Sequence, residues 1–73
     1  MKLELVTRSS CHLCEEALAA IRSVGIEPVL RDVDSDQDLF DRYDFRVPVI
    51  LIDGELALEG RITAQTVRDL VVR

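Results

Sequence analysis

Residues Pro48-Val49-Ile50-Leu51-Ile52 form an unbroken apolar run closed by Asp53-Gly54. Successive side chains of a strand point to opposite faces, so a strand that is apolar at every position must be covered on both sides. Asp-Gly suits a type I′ turn, in which both central residues take positive φ. The run is therefore expected to be a strand buried on both faces, turning tightly into a returning strand from Glu55 to Glu59. The rest of the chain must supply the covering layers.

Hydrophobic periodicity provides candidates. Lys2 to Thr7 reads as a strand. Beyond the loop Arg8-Ser9-Ser10, the positions Cys14, Leu18 and Ile21 recur at helical spacing with Ala17 and Val24 beside them, while Glu15, Glu16 and Arg22 fall opposite, which predicts a helix from Cys11 to about Val24. Gly25 suits the left-handed residue that ends it. Ile26 to Val33 is expected to be a second strand, with Pro28 near its start because proline has no N–H for a ladder. Ser35-Asp36-Gln37-Asp38 matches a capping box before a short helix bearing Leu39, Phe40 and Tyr43. Thr63 caps a last helix, with Ile62 and Val67 at the two positions of a hydrophobic staple and Val67, Leu70 and Val71 forming its buried stripe. Tyr43, Phe40 and Phe45 are assigned to the core. Glu4 conflicts with a central strand, and its side chain is expected to reach an edge of the sheet.

The chain has 73 residues, which fits one domain spanning 1–73. A core of that size contributes only about 3–5 kcal/mol, so small domains often carry a covalent staple. The only two cysteines, Cys11 and Cys14, make a poor one. Their bridge would close a very short loop, and the entropy a disulfide removes from the unfolded chain grows with loop length. Chemistry explains the pair better. Both sit where a strand runs into a helix, whose N-terminal N–H groups and partial positive charge stabilise a thiolate and bring its pKa below the free value of about 8.5. Arg8 adds a full charge nearby, and Cys14 belongs to the stripe that faces the core.

Net charge of −5 argues against nucleic acid or an anionic membrane surface as partner. Met1-Lys2 leads straight into a strand, with no apolar leader and no stretch long enough to span a bilayer, so the cytoplasm is the expected location. In that reducing compartment a close cysteine pair is redox-active or metal-binding more often than structural.

A βαβ unit followed by ββα, carrying Cys11-His12-Leu13-Cys14 at the first strand-to-helix junction, Val47-Pro48 at the start of the third strand and Ile52-Asp53-Gly54 after it, resembles the thioredoxin superfamily. Within it the small glutaredoxin-like proteins are most similar. The resemblance implies an α/β fold with a four-stranded mixed sheet and three helices. It also implies roles: Cys11 as the exposed attacking cysteine, Cys14 as the resolving one, Arg8 as a basic residue near the thiolate, and Pro48 as a cis-proline beside the disulfide. Val47 would offer its backbone to substrate, and Gly60-Arg61 stands where glutaredoxins hold the glutamyl end of glutathione.

Departures from that pattern shape the functional expectation. His12-Leu13 replaces the Pro-Tyr common between glutaredoxin cysteines. Leu58-Glu59-Gly60-Arg61 lacks the Gly-Gly-acidic segment, which puts glutathione in doubt as the reductant, while Arg46 and Arg61 are candidates to grip some other acidic partner. The expected function is a monomeric dithiol oxidoreductase that exchanges disulfides with a protein or small-thiol substrate and draws on an external thiol reductant or reductase. It needs no cofactor and no metal of its own. His12, the only histidine, is either a proton shuttle or an ordinary surface residue. Two other readings stay open. A metal or iron-sulfur module would need a second subunit, a carboxylate or a small thiol to complete the ligands around Cys11. A binding domain would keep the fold without turnover.

Overall fold

The computed structural model describes residues 1–72. In chain order it contains β1 (Leu3–Thr7), α1 (His12–Ser23), β2 (Val29–Asp32), α2 (Gln37–Tyr43), β3 (Val49–Ile52), β4 (Glu55–Glu59) and α3 (Ala64–Val71). The strands form one mixed sheet in the order β2-β1-β3-β4. β1 runs parallel to β2 and antiparallel to β3, and β3 runs antiparallel to β4.

Alternation along the two central strands divides the core between the faces. Leu3, Leu5 and Ile50 join Ala17 and Ile21 of α1, Val67 of α3 and Ile62 in one cluster. Val6, Val49 and Leu51 join Val33, Leu39 and Tyr43 on the side of α2. Val49, Ile50 and Leu51 are all buried, as expected for a strand covered on both sides. Asp53 and Gly54 have φ of 51° and 86°, which gives the turn positive φ at both central residues, as type I′ requires.

Local signals set the helix ends. Gly25 has φ 85°, its N–H donates to the Arg22 carbonyl at 3.0 Å, and the Ile26 N–H reaches the Ile21 carbonyl at 3.4 Å. This is a Schellman closure, and Ile21 and Ile26 pack into the same cluster. Thr63 and Thr66 form a reciprocal capping box, and Ile62 and Val67, one residue before the cap and four after it, are both buried.

Several expectations need correction. β2 begins at Val29 rather than Ile26, because Ile26 is taken up by the closure of α1 and Pro28 has no N–H to offer. The cap of α2 is Asp36, one residue later than the expected box. Its carboxylate accepts both the Asp38 and Leu39 N–H groups, at 3.0 and 3.2 Å, whereas the Ser35 hydroxyl donates to the Asp32 carbonyl. Only one of the three aromatics is core. Leu39 and Tyr43, four apart, occupy the inward face of this short helix; Phe40 lies one position round and is 38% exposed, and Phe45, beyond the helix end, is 94% exposed.

Glu4 does reach toward an edge, and it does so while buried. It lies on the α2 face at 5% exposure and accepts from Arg31 of edge strand β2 at 2.7 Å, while Arg31 also donates to Asp36 at 3.1 Å. Among the described residues no helix is long and apolar enough to cross a membrane.

Candidate functional site

Sheet topology gathers the candidate residues at one end. The β1–β2 register sets Thr7 beside Asp32, and the β1–β3 register sets Val6 beside Val49, so the next step along β3 brings Pro48 opposite Thr7. The Gly60 N–H, just past β4, donates to the Pro48 carbonyl at 3.0 Å. Gly60 has φ 78°, a conformation that favours glycine, and it lets the chain turn here. The loops carrying Arg8 and Cys11, Asp34, Pro48 and Gly60 therefore share one edge of the molecule. The Val47-Pro48 peptide bond is cis.

Cys11 occupies the N-cap of α1, a position usually filled by an oxygen-bearing side chain that satisfies a free N–H. Here sulfur does so: Sγ accepts from the Cys14 N–H at 3.2 Å. One turn further, Cys14 is 3% exposed. The two form a disulfide with a Cα separation of 5.2 Å, and only the Cys11 side is partly open to solvent. A cleft of about 230 Å³ adjoins the pair, lined by Thr7, Arg8, Ser10, Leu18 and Leu30 among others. Val47, Pro48, Gly60 and Arg61 do not line it; they lie on the β3–β4 side.

The arginines near the site are largely engaged within the chain. Arg8 does not hydrogen-bond to a cysteine. Its Nε and Nη2 donate to the two Asp34 oxygens, each at 2.9 Å, its Nη1 donates to the Asp44 carbonyl at 3.0 Å, and Nη2 also meets the Asp44 carboxylate. The hydrogen bond with Asp34, followed by that with Asp44, raises the Arg8 pKa still further, and the same bond holds the Asp34 carboxyl below its ordinary range. The guanidinium carbon also lies 5.9 Å from the centre of the Phe40 ring. Arg46 is not free for an acidic partner: it donates to Glu59 at 2.6 and 3.1 Å and lies over Tyr43. That bond raises the Arg46 pKa and lowers that of Glu59.

Arg61 is exposed and makes no side-chain hydrogen bond or ion pair with the described residues. His12 opens α1 with its side chain 85% exposed, and its Nε2 is 3.1 Å from Glu16 one turn on. Asp34, Asp44 and Glu59, the acids that hold these arginines, were not singled out by sequence. The first two flank α2, and local spacing carries no signal of pairings 26 and 36 residues away.

Comparison with known proteins agrees with this architecture. No curated protein sequence matches the chain closely. Among solved structures it is similar to the structural genomics target protein XcR50 from X. campestris, at 29% identity and a TM-score of 0.81, with 92% of this chain and 91% of that one covered. It is also similar in fold to the thioredoxin-like protein BC3987, at 24% identity and a TM-score of 0.73, with 96% of this chain and all (100%) of that one covered. Residues 2–71 match the model of the glutaredoxin-like domain (DUF836), and the chain belongs to that family.

Proposed function

We propose that this protein is a small dithiol thiol-disulfide oxidoreductase. The observation that carries the proposal is the asymmetry of its disulfide: Cys11 caps a helix and is partly exposed, while Cys14 is buried one turn behind it. A thiolate at Cys11 receives the Cys14 N–H and the field of the helix terminus, both of which favour the charged form. Cys14, in an apolar setting, is favoured as the neutral thiol until Cys11 has reacted.

Two successive thiol-disulfide exchanges carry the electrons. The Cys11 thiolate attacks one sulfur of a substrate disulfide, forming a Cys11–substrate mixed disulfide and releasing the other substrate sulfur as a thiolate. Cys14 loses its proton and attacks the Cys11 sulfur, which frees the second substrate thiolate and forms the Cys11–Cys14 bond. The substrate gains two electrons and the protein loses two, so an external thiol reductant or reductase has to restore the dithiol. Val47 and Pro48 would align an extended substrate backbone by strand-like pairing, with Gly60 and Arg61 at the far side.

Protein disulfides fit the surroundings better than glutathione does. Arg8 and Arg46 are neutralised by Asp34, Asp44 and Glu59, so of the candidate cations Arg61 alone is left to meet a glutathione carboxylate. Phe45, two residues before Val47, presents an exposed ring to a polypeptide. A reducing compartment, the cytoplasm above all, suits a dithiol that must be recharged.

Selective trapping tests the proposal. In the reduced protein at mildly acidic pH, an alkylating reagent is expected to modify Cys11 well before Cys14. Cys14→Ser should accumulate a mixed disulfide with a protein substrate, Cys11→Ser should lose turnover, and reduction by a thioredoxin reductase should outpace reduction by glutathione. Equal labelling of the two thiols, with no trapped adduct, would leave the family's fold as a binding domain.

A further inference from the structure

Arg8 joins three connections that meet at the redox site. It follows β1 by one residue, Asp34 lies between β2 and α2, and Asp44 ends α2 four residues before Pro48. Its hydrogen bonds to Asp34 and Asp44 span 26 and 36 residues of sequence, and the Phe40 ring backs the guanidinium. A planar fork that satisfies several acceptors at once fixes their relative positions, which a point charge does not. The loop it anchors has need of a tether: Ser10, between Arg8 and Cys11, holds φ 60°, a conformation that is costly for a residue with a Cβ.

The charge of the cluster itself works against a purely electrostatic role for Arg8. One guanidinium faces two carboxylates, so the cluster as a whole is not positive, and the field of Arg8 at the Cys11 sulfur is offset by Asp34 and Asp44. The remaining titratable groups around the start of α1 are His12, Glu15 and Glu16, of which His12 and Glu16 face each other.

We propose that Arg8 is a positioning residue, clamped by Asp34 and Asp44, that sets the Cys11 loop against the Val47-Pro48 loop and thereby aligns a polypeptide substrate with the attacking sulfur. The inference rests on the oxidoreductase reading for its kinetic readout, but not for its structural one. It departs from a thiolate-stabilising role in the sign of what happens when an acid is removed. If Arg8 acted by its charge, Asp44→Ala would unmask that charge, lower the Cys11 pKa and speed attack. For a clamp, the same change slackens the loop and slows the reaction of substrates that need alignment.

The test compares Asp44→Ala and Arg8→Lys with the unaltered full chain, using two probes: a mixed disulfide of an extended peptide, and dithiodipyridine, a small neutral disulfide that needs no backbone alignment. For the peptide, kcat/KM is expected to fall by about ten-fold in both variants, since misplacement of reacting groups is costly. With dithiodipyridine both variants should lose far less than with the peptide, and Arg8→Lys, which keeps the charge, should hold the pH midpoint of Cys11 alkylation near that of the unaltered chain. A faster reaction and a lower alkylation midpoint in Asp44→Ala, with Arg8→Lys equal to the unaltered chain, would overturn the clamp in favour of charge. Equal peptide kinetics in all three proteins would reduce the cluster to a surface tie.

Hydrogen exchange of the oxidised protein supplies a readout free of turnover. The segments 8–11 and 44–49 should both exchange faster in each variant; acceleration of one segment alone would count against the clamp. If the unaltered chain reduces neither probe while the exchange result holds, the redox reading fails and the coupling of the two loops stands.

Discussion

The two faces of the sheet are held by different physics. On the α1–α3 side, Leu3, Leu5, Ala17, Ile21, Ile50, Ile62 and Val67 make a dry cluster in which all but Leu3 and Ile62 are completely buried. On the α2 side the helix has only seven residues, so its apolar cluster stops short, and the remaining area is closed by Glu4, Arg31 and Asp36 along one flank and by Arg8, Asp34 and Asp44 along another. Apolar burial is strong and non-directional. Charged hydrogen bonds stabilise less but specify which groups meet. The disulfide is mounted on the helix of the first face, and the loops that frame it are tied on the second. Rigid support and adjustable framing are thereby separated.

Three perturbations sharpen or break this contrast. The largest effect should come from truncation in the dry cluster. Ile21→Ala is expected to cost about 4 kcal/mol, the upper range for a buried aliphatic, because its surroundings are packed on every side. Leu39→Ala on the other face should cost about 2.5 kcal/mol, since a short helix near the surface can settle into the space. With a total stability of about 3–5 kcal/mol for a domain of this size, the first variant should sit near its unfolding midpoint by circular dichroism at room temperature and the second should still be folded. Equal losses would erase the distinction between the faces.

A smaller effect, asymmetric in sign, is expected from the buried pair. Arg31→Met leaves the buried Glu4 carboxylate with only the exposed Lys2 ammonium, 4.0 Å away, so the urea midpoint should fall at neutral pH. Glu4→Leu should leave stability unchanged or raise it, because Arg31 is partly exposed and keeps Asp36. A loss in Glu4→Leu as large as that in Arg31→Met would mean that the pair itself is a main source of stability.

The smallest effect is on acid stability. Arg8, Arg46 and Arg22 hold Asp34, Glu59 and Glu27 below the ordinary carboxylate range. A carboxyl whose folded pKa is lowered contributes fully above its unfolded value, about 4, and loses that contribution as pH falls through its folded value. The melting temperature should therefore be flat from neutrality to about pH 5 and decline below about pH 4. These pairs are exposed and screened, so the decline should be shallow, weaker in high salt, and weaker still in Arg8→Ala.

Much of the molecule was legible where the decisive interactions are local. The stripe of Cys14, Leu18 and Ile21 already turns Cys14 inward, and the place of Cys11 at the helix start leaves its sulfur toward solvent. Asp53-Gly54 announces its turn, Gly25 its helix end, and Ile62, Thr63 and Val67 their cap and staple, because each is satisfied within a few residues of chain. The failures share a different cause. Ser35 lost the cap to Asp36, a neighbouring carboxylate able to reach two N–H groups at once, and Phe45 left the core because α2 ended before it. Both turn on where a short element stops, to which periodicity is least sensitive.

What the sequence by itself determined is the order of elements, the alternation that divides the core between two faces, and the placing of a cysteine pair at a helix start. Only the tertiary structure decided which acids meet Arg8, Arg31 and Arg46, and so which cations remain for a substrate. The reason is physical. A side-chain pattern of fixed period reports the face on which a residue lies, whereas Coulomb attraction has no period and acts between whichever charges the folded loops bring together, here from 13 to 36 residues apart for Arg46–Glu59, Arg8–Asp34, Arg31–Glu4 and Arg8–Asp44.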